Sequence, residues 1–318
     1  MWRAVKVLVS VGALTLLLVA VDWQTAMRDL RRVDLLPLSI ASVILCAQFL
    51  IASRKWQIAL AMHGLSWRVI PLVRISLIGF FLNNFLPTAI GGDIYRAYRT
   101  LPADGQKSRA ISALLLDRLS GMVALFVVAA VGAVAVFAQR RDPFSALLVV
   151  LFIGPLVLAA MLPWLARVSV IRRALRKLAA IPKLEPLVHN TRLILSRKRQ
   201  LVDVLAVALV FQTLAVVAIY YLFVSVDTYG VMAESAVIGA ASVLASLLPV
   251  SINGIGVMEG SFALTAVRLE VGFESAVIVS LMLRLSSVVF SVIGVGVFLW
   301  DKGQAPEAAA LPPKKSFE

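Results

Sequence analysis

Long apolar runs dominate the chain, and they are continuous rather than alternating. A helix needs about 20 mostly apolar residues to cross a bilayer core. Lipid-facing strands would alternate apolar and polar positions instead. Runs suited to one crossing each lie at 5–22, 35–53, 111–138, 144–166, 201–225 and 275–300. Two further apolar segments, 69–92 and 235–266, are interrupted by Pro, Gly and Asn. The pattern predicts an all-α polytopic membrane protein with about six full spans and two broken segments.

Whether the broken segments cross is decided by the basic residues, which accumulate on the cytoplasmic side of membrane proteins. If both segments return to the side they entered, and the N-terminus is cytoplasmic, 23 of the 31 Lys and Arg fall inside and six outside. Arg118 and Arg284 then lie within spans. If both segments cross, the split becomes 11 inside and 18 outside. The first arrangement is predicted: two re-entrant helical hairpins, with both termini in the cytoplasm. The predicted organisation is one membrane domain over 1–300, ending in a disordered cytoplasmic tail at 301–318. Ten basic residues crowd into 167–199, which reads as a broken amphipathic linker. Either it lies on anionic headgroups or it is a solvated loop that sets topology.

Composition changes this picture little. The chain is 61% hydrophobic and 15% charged, against about 25% charged in a soluble domain. The net charge of +14 would suit nucleic acid, yet no basic folded unit lies outside the membrane runs. Nucleic-acid binding is therefore not expected. The one cysteine, Cys46, sits in an apolar run, so neither a disulfide framework nor a Cys-based metal site can form within the chain. The two histidines, His63 and His189, form no His-x-x-x-His pair, and no phosphate-binding loop of the Walker type occurs. These observations point to a non-enzymatic protein without a cofactor or metal.

The two broken segments resemble each other. FLPTAIGG (85–92) and LLPVSING (247–254) share Leu, Pro, Ile and the final Gly at an offset of 162. LDRLSG and MLRLSS then share Arg118-Leu119-Ser120 and Arg284-Leu285-Ser286 at an offset of 166. The first repeat covers about 35–138 and the second about 201–300. In the predicted topology they enter from opposite sides, the inverted arrangement common in alternating-access transporters.

Non-helical backbone is tolerated at membrane depth only inside protein or beside a wet cavity. Pro87 and Pro249 remove amide donors, and Gly91, Gly92, Gly254 and Gly256 permit sharp turns. Asp93 can cap a helix that starts there. Asn83, Asn84 and Asn253 can hold freed backbone groups or a headgroup. A mid-membrane Arg costs about 2.5–3.5 kcal/mol on insertion scales, so Arg118 and Arg284 need partners or a function. Asp117 adjoins Arg118 but points about 100° away on a helix, so its partner is expected elsewhere. Glu259 is its expected acidic counterpart in the second repeat. Two readings of Asp117, Arg118, Glu259 and Arg284 stay open: a structural ion network, or a phosphate site with balancing acids. Arg96 and Arg99, beside Tyr95 and Tyr98, are placed at the cytoplasmic surface, where they can meet lipid phosphates.

With FLNNFLPTAIGGDIYRAY, LDRLSG and LLPVSINGIGVMEG in this order, the chain resembles the lysylphosphatidylglycerol synthase transmembrane region, the flippase-like membrane proteins, over most of 1–300. The resemblance implies a protein of a bacterial or archaeal cytoplasmic membrane that moves a polar lipid between leaflets. Longer relatives carry a soluble aminoacyl-transferase domain after this region. Here residues 301–318 follow it, so lysyl transfer is not implied. Met258 stands where that family's pattern leads to a basic residue. The expected function is transport of an anionic or phosphate-bearing lipid, with membrane lipids as partners. The alternatives are a membrane enzyme, or an assembly partner of an enzyme, in lipid or lipid-linked sugar synthesis.

Overall fold

The computed structural model describes residues 2–85, 91–101, 107–165 and 197–301. Eleven helices account for most of them. α1 (Trp2–Ala20) leads across an 82° bend into α2 (Trp23–Arg31). The long helices are α3 (Leu35–Met62), α6 (Lys107–Arg140), α7 (Pro143–Leu165), α8 (Lys198–Ser225) and α11 (Phe273–Asp301). All five are long and apolar enough to cross a membrane, and the bent α1–α2 pair is a sixth candidate. Two couples of shorter helices lie between them. They are α4 (Val69–Phe85) with α5 (Gly91–Arg99), and α9 (Met232–Ser246) with α10 (Val257–Arg268). The chain is an all-α polytopic membrane protein, as its apolar runs predict.

Local chemistry sets several helix ends. Asp34 accepts from the Leu36 amide at 2.9 Å and starts α3. Pro37 follows in the first turn, where a missing amide costs little. The helix ends at His63, followed by Gly64 at φ 72°. It runs nine residues beyond the predicted end at 53, carrying Lys55 and Trp56 within the helix. The structure buries both side chains, Lys55 beside a carboxylate and Trp56 in the core. A break in hydropathy therefore misplaces this helix end.

The helices pack through small residues and aromatic anchors. α3 lies along α8, α4 along α11, and α9 against α6 and α10. A Cβ on Gly294 of α11 would fall 2.5 Å from the Leu77 carbonyl oxygen of α4. Without a hydrophobic drive between helices in lipid, such close backbone approach supplies much of the packing. Phe223 of α8 and Phe262 of α10 stack at 5.8 Å in the core.

The two helix couples correspond to the broken segments, but their glycines work differently. Gly91 and Gly92 do not form a turn: they begin α5 as helical residues. A Cβ on Gly92 would fall 1.8 Å from the Gly79 carbonyl oxygen, so Gly92 is where α4 and α5 touch backbone to backbone. Pro87 lies in 86–90, outside the described residues. The second break, from Leu247 to Gly256, turns through left-handed backbone at Asn253 (φ 49°), Gly254 (φ 72°) and Gly256 (φ 80°). Pro249 falls within it. Ser10 Oγ of α1 accepts from the Ile252 amide at 2.9 Å, satisfying one freed donor. Most of the basic linker, 166–196, and the tail, 302–318, also lie outside the described residues.

Candidate functional site

Each helix couple places an acid against an Arg on the long helix that follows. Asp93 is the third residue of α5, and Arg118 the twelfth of α6. Arg118 donates from Nε to Asp93 at 3.0 Å and from Nη2 at 2.5 Å. Glu259 is the third residue of α10, and Arg284 the twelfth of α11. Arg284 Nε donates to Glu259 Oε1 at 2.5 Å. Both pairs span 25 residues of sequence. At about 1.5 Å per residue, each Arg lies roughly 17 Å from the start of its helix.

This pairing corrects two expectations. The first-repeat counterpart of Glu259 is Asp93, not Asp117. Asp93 also lies inside its helix and grips an Arg, rather than standing before the helix as its cap. The signal was present in the sequence: Asp93 and Glu259 share the 166-residue offset that relates Arg118 to Arg284. Glu259 has a second task, accepting the Gly256 amide at 2.8 Å through Oε2 and fixing the start of α10. Its side chain is 2% exposed, and the Met258 sulfur lies 3.8 Å from Arg284 Nη2.

Asp117 finds its partners away from Arg118, as helix geometry requires. Lys55 Nζ of α3 stands 3.2 Å from its carboxylate and donates to the Asp117 carbonyl at 2.9 Å. Arg96 Nη2 of α5 lies 3.4 Å from Asp117, and Arg96 Nη1 lies 3.8 Å from Asp93. Arg96 is therefore not a surface residue. Its guanidinium lies over the buried Trp56 ring at 4.6 Å, a cation–π arrangement. Arg99 lies 5.9 Å from the Tyr95 ring. Lys55 was missed because its position past the apolar run at 35–53 suggested a cytoplasmic loop. Its one legible signal was helical continuity through SRKWQIALAM, where no Gly or Pro intervenes.

The asparagines join the two breaks. Asn83 Oδ1 accepts from the Gly92 amide at 2.7 Å, holding α5 to the end of α4. Asn84 donates to Ser291 Oγ of α11 at 2.6 Å and to the Ser287 carbonyl at 3.4 Å. Its Oδ1 accepts from Asn253 Nδ2, in the other break, at 2.6 Å. Polar groups at the two breaks thus satisfy one another through side chains.

The charged groups and asparagines therefore form two acid–Arg pairs, one extended on the first side by Lys55, Arg96 and Asp117, with an amide bridge between the breaks. Arg118 is the outlying member, with its side chain 53% exposed. Among the described residues no group of His, Cys, Asp and Glu is arranged to hold a metal ion. The arrangement can grip an anionic group by exchanging one carboxylate for another acceptor at a guanidinium fork. The family model of the lysylphosphatidylglycerol synthase transmembrane region matches residues 3–294. No curated protein matches the chain.

Proposed function

The chain belongs to the family of the lysylphosphatidylglycerol synthase transmembrane region, and we propose that it carries a polar, phosphate-bearing lipid between the leaflets of the cytoplasmic membrane. The observation that supports this most is the matched pair of hairpin-to-helix ion pairs, each spanning 25 residues. Two halves with the same internal wiring, meeting at Asn84 and Asn253, suit a carrier that opens to one side and then the other. In this reading the halves are inverted repeats, both termini are cytoplasmic, and no bond of the lipid is made or broken. The headgroup reaches Arg118 first and replaces a carboxylate oxygen with a phosphate oxygen. The acyl chains stay in lipid while the halves rock.

The test is reconstitution of purified protein into liposomes with a fluorescent headgroup-labelled lipid in both leaflets. A membrane-impermeant quencher then reports how fast the inner pool reaches the outside. Faster exchange than in protein-free liposomes is expected. Protein that accelerates the exchange of no native lipid would overturn the reading.

A further inference from the structure

Five charged side chains form one connected network on the first half. Ion pairs run from Arg118 to Asp93 at 2.5 Å, from Asp93 to Arg96 at 3.8 Å, from Arg96 to Asp117 at 3.4 Å, and from Asp117 to Lys55 at 3.2 Å. Three of the five are cations and two are carboxylates, so the network holds one positive charge in excess. The Glu259–Arg284 pair of the second half is balanced. An unmatched charge away from water is costly unless something neutralises it. The excess has a definite outlet. Four of the side chains are 13% exposed or less, while Arg118 is 53% exposed.

A second observation points the same way. Two N–H donors in and beside the network are buried without an acceptor: Arg96 Nε and Trp56 Nε1. The Arg96 guanidinium lies over the Trp56 ring, so both belong to one place. Buried donors ordinarily find partners. A ligand that answers both features brings one negative charge and several acceptor oxygens.

We propose that the Lys55–Asp117–Arg96–Asp93–Arg118 network is a binding site for the phosphate group of a ligand with one net negative charge, selected by charge count. Arg118 receives it, and Arg96 with its unused Nε provides the second point of attachment. Lys55 acts at a distance: it cancels Asp117, and so leaves Arg96 and Arg118 with more positive charge than Asp93 alone can answer. This rests on the lipid-carrying reading and names the headgroup class. The same chemistry is offered by a lipid phosphodiester and by free dihydrogen phosphate.

The experiment measures binding of phosphatidylglycerol, phosphatidylcholine and inorganic phosphate to the detergent-purified full chain by native mass spectrometry. Four proteins are compared: the parent, Lys55→Met, Arg118→Gln and Asp117→Asn. The parent should prefer phosphatidylglycerol over phosphatidylcholine. Lys55→Met and Arg118→Gln bring the count to zero and should each reduce that preference by roughly tenfold, the scale of one charge-assisted hydrogen bond. Asp117→Asn brings the count to two and should increase it. A merely structural network would respond in the same direction to loss of Lys55 and of Asp117, and that result overturns the proposal. Arg118, half-exposed, is the substitution least dependent on folding, and an unchanged preference in Arg118→Gln also overturns it. Displacement of phosphatidylglycerol by millimolar inorganic phosphate assigns the site to free phosphate; retention of the lipid assigns it to the phosphodiester. Binding and movement also separate. Binding that follows the count without leaflet exchange keeps the site and sinks the carrier, while exchange with count-independent binding does the reverse.

Discussion

Asn253 donates its side-chain amide to Asn84 at 2.6 Å, across 169 residues of sequence. This bond joins the two breaks directly, so any motion that separates the hairpins must break it. With Cys46→Ala as background, the chain has no other cysteine. Asn84→Cys combined with Asn253→Cys should then be bridged by a short bifunctional thiol reagent, seen as a mobility shift after proteolysis between the sites. Bridging should stop lipid exchange in liposomes, and a reducible reagent should restore it on reduction. Normal exchange in the bridged protein would show that the breaks do not part.

Gly92 tests how closely α4 and α5 pack. Its missing Cβ would overlap the Gly79 carbonyl oxygen at 1.8 Å, and backbone on both sides leaves no flexible side chain to give way. Gly92→Ala should therefore cost at least about 1–3 kcal/mol, the usual range for overpacking. Gly260→Ala is the control, since a Cβ there meets nothing within 4 Å. Thermal unfolding in detergent should drop by several degrees for the first and stay level for the second.

Glu259 and Arg284 offer a comparison of buried and exposed pairs. Glu259→Gln leaves Arg284, 23% exposed, facing a neutral amide and should cost about 3–5 kcal/mol. Adding Arg284→Met should recover most of that loss, because the pair is removed as a unit. The Arg140–Glu270 pair, at 3.3 Å with Glu270 84% exposed, should lose no more than about 1 kcal/mol on Glu270→Gln. Equal losses at the two sites would argue that Glu259 is not shielded from water.

His63, just past α3, gives a pH dependence. Burial pushes its imidazole below the ordinary value of 6.5, and nearby Arg109 and Arg197 push the same way, against the Ala59 carbonyl bond. The folded state therefore holds fewer protons than the unfolded one just below pH 6.5. The stability tied to neutral His63 is complete above that value and falls as the solution is acidified through it. Thermal stability should drop between about pH 7.5 and 5.5. His63→Asn, which keeps a donor for the Ala59 carbonyl, should flatten that drop.

The helices were legible because continuous apolar runs leave few alternatives at membrane depth. Helix starts at 35, 69 and 144 fall within one residue of those observed. The site was legible only where polarity itself was the anomaly, as at Arg118, Glu259, Arg284 and the asparagines. It failed where polarity looked ordinary. Lys55 was not picked out, and Arg96 was picked out but placed at the surface, because both sit at the edges of apolar runs, where a basic residue usually marks a cytoplasmic loop. Their burial follows from α3 and α5 meeting α6, a long-range contact that no local window contains. Gly92 failed for a related reason. Glycine serves both turns and close helix contacts, and the choice depends on what stands opposite.

The bond from the Ile252 amide to Ser10 ties two distant parts of the chain together. α1 supplies an acceptor to a backbone amide of the second break, 242 residues later in the chain. A Cβ on Gly256 would also meet Ala13 Cβ at 2.8 Å, so α1 is a wall of that break as well as its partner. The second break thus draws on α1 for one of its hydrogen bonds and for part of its packing surface. Completion of this break is therefore coupled to a helix that lies 242 residues earlier in the chain.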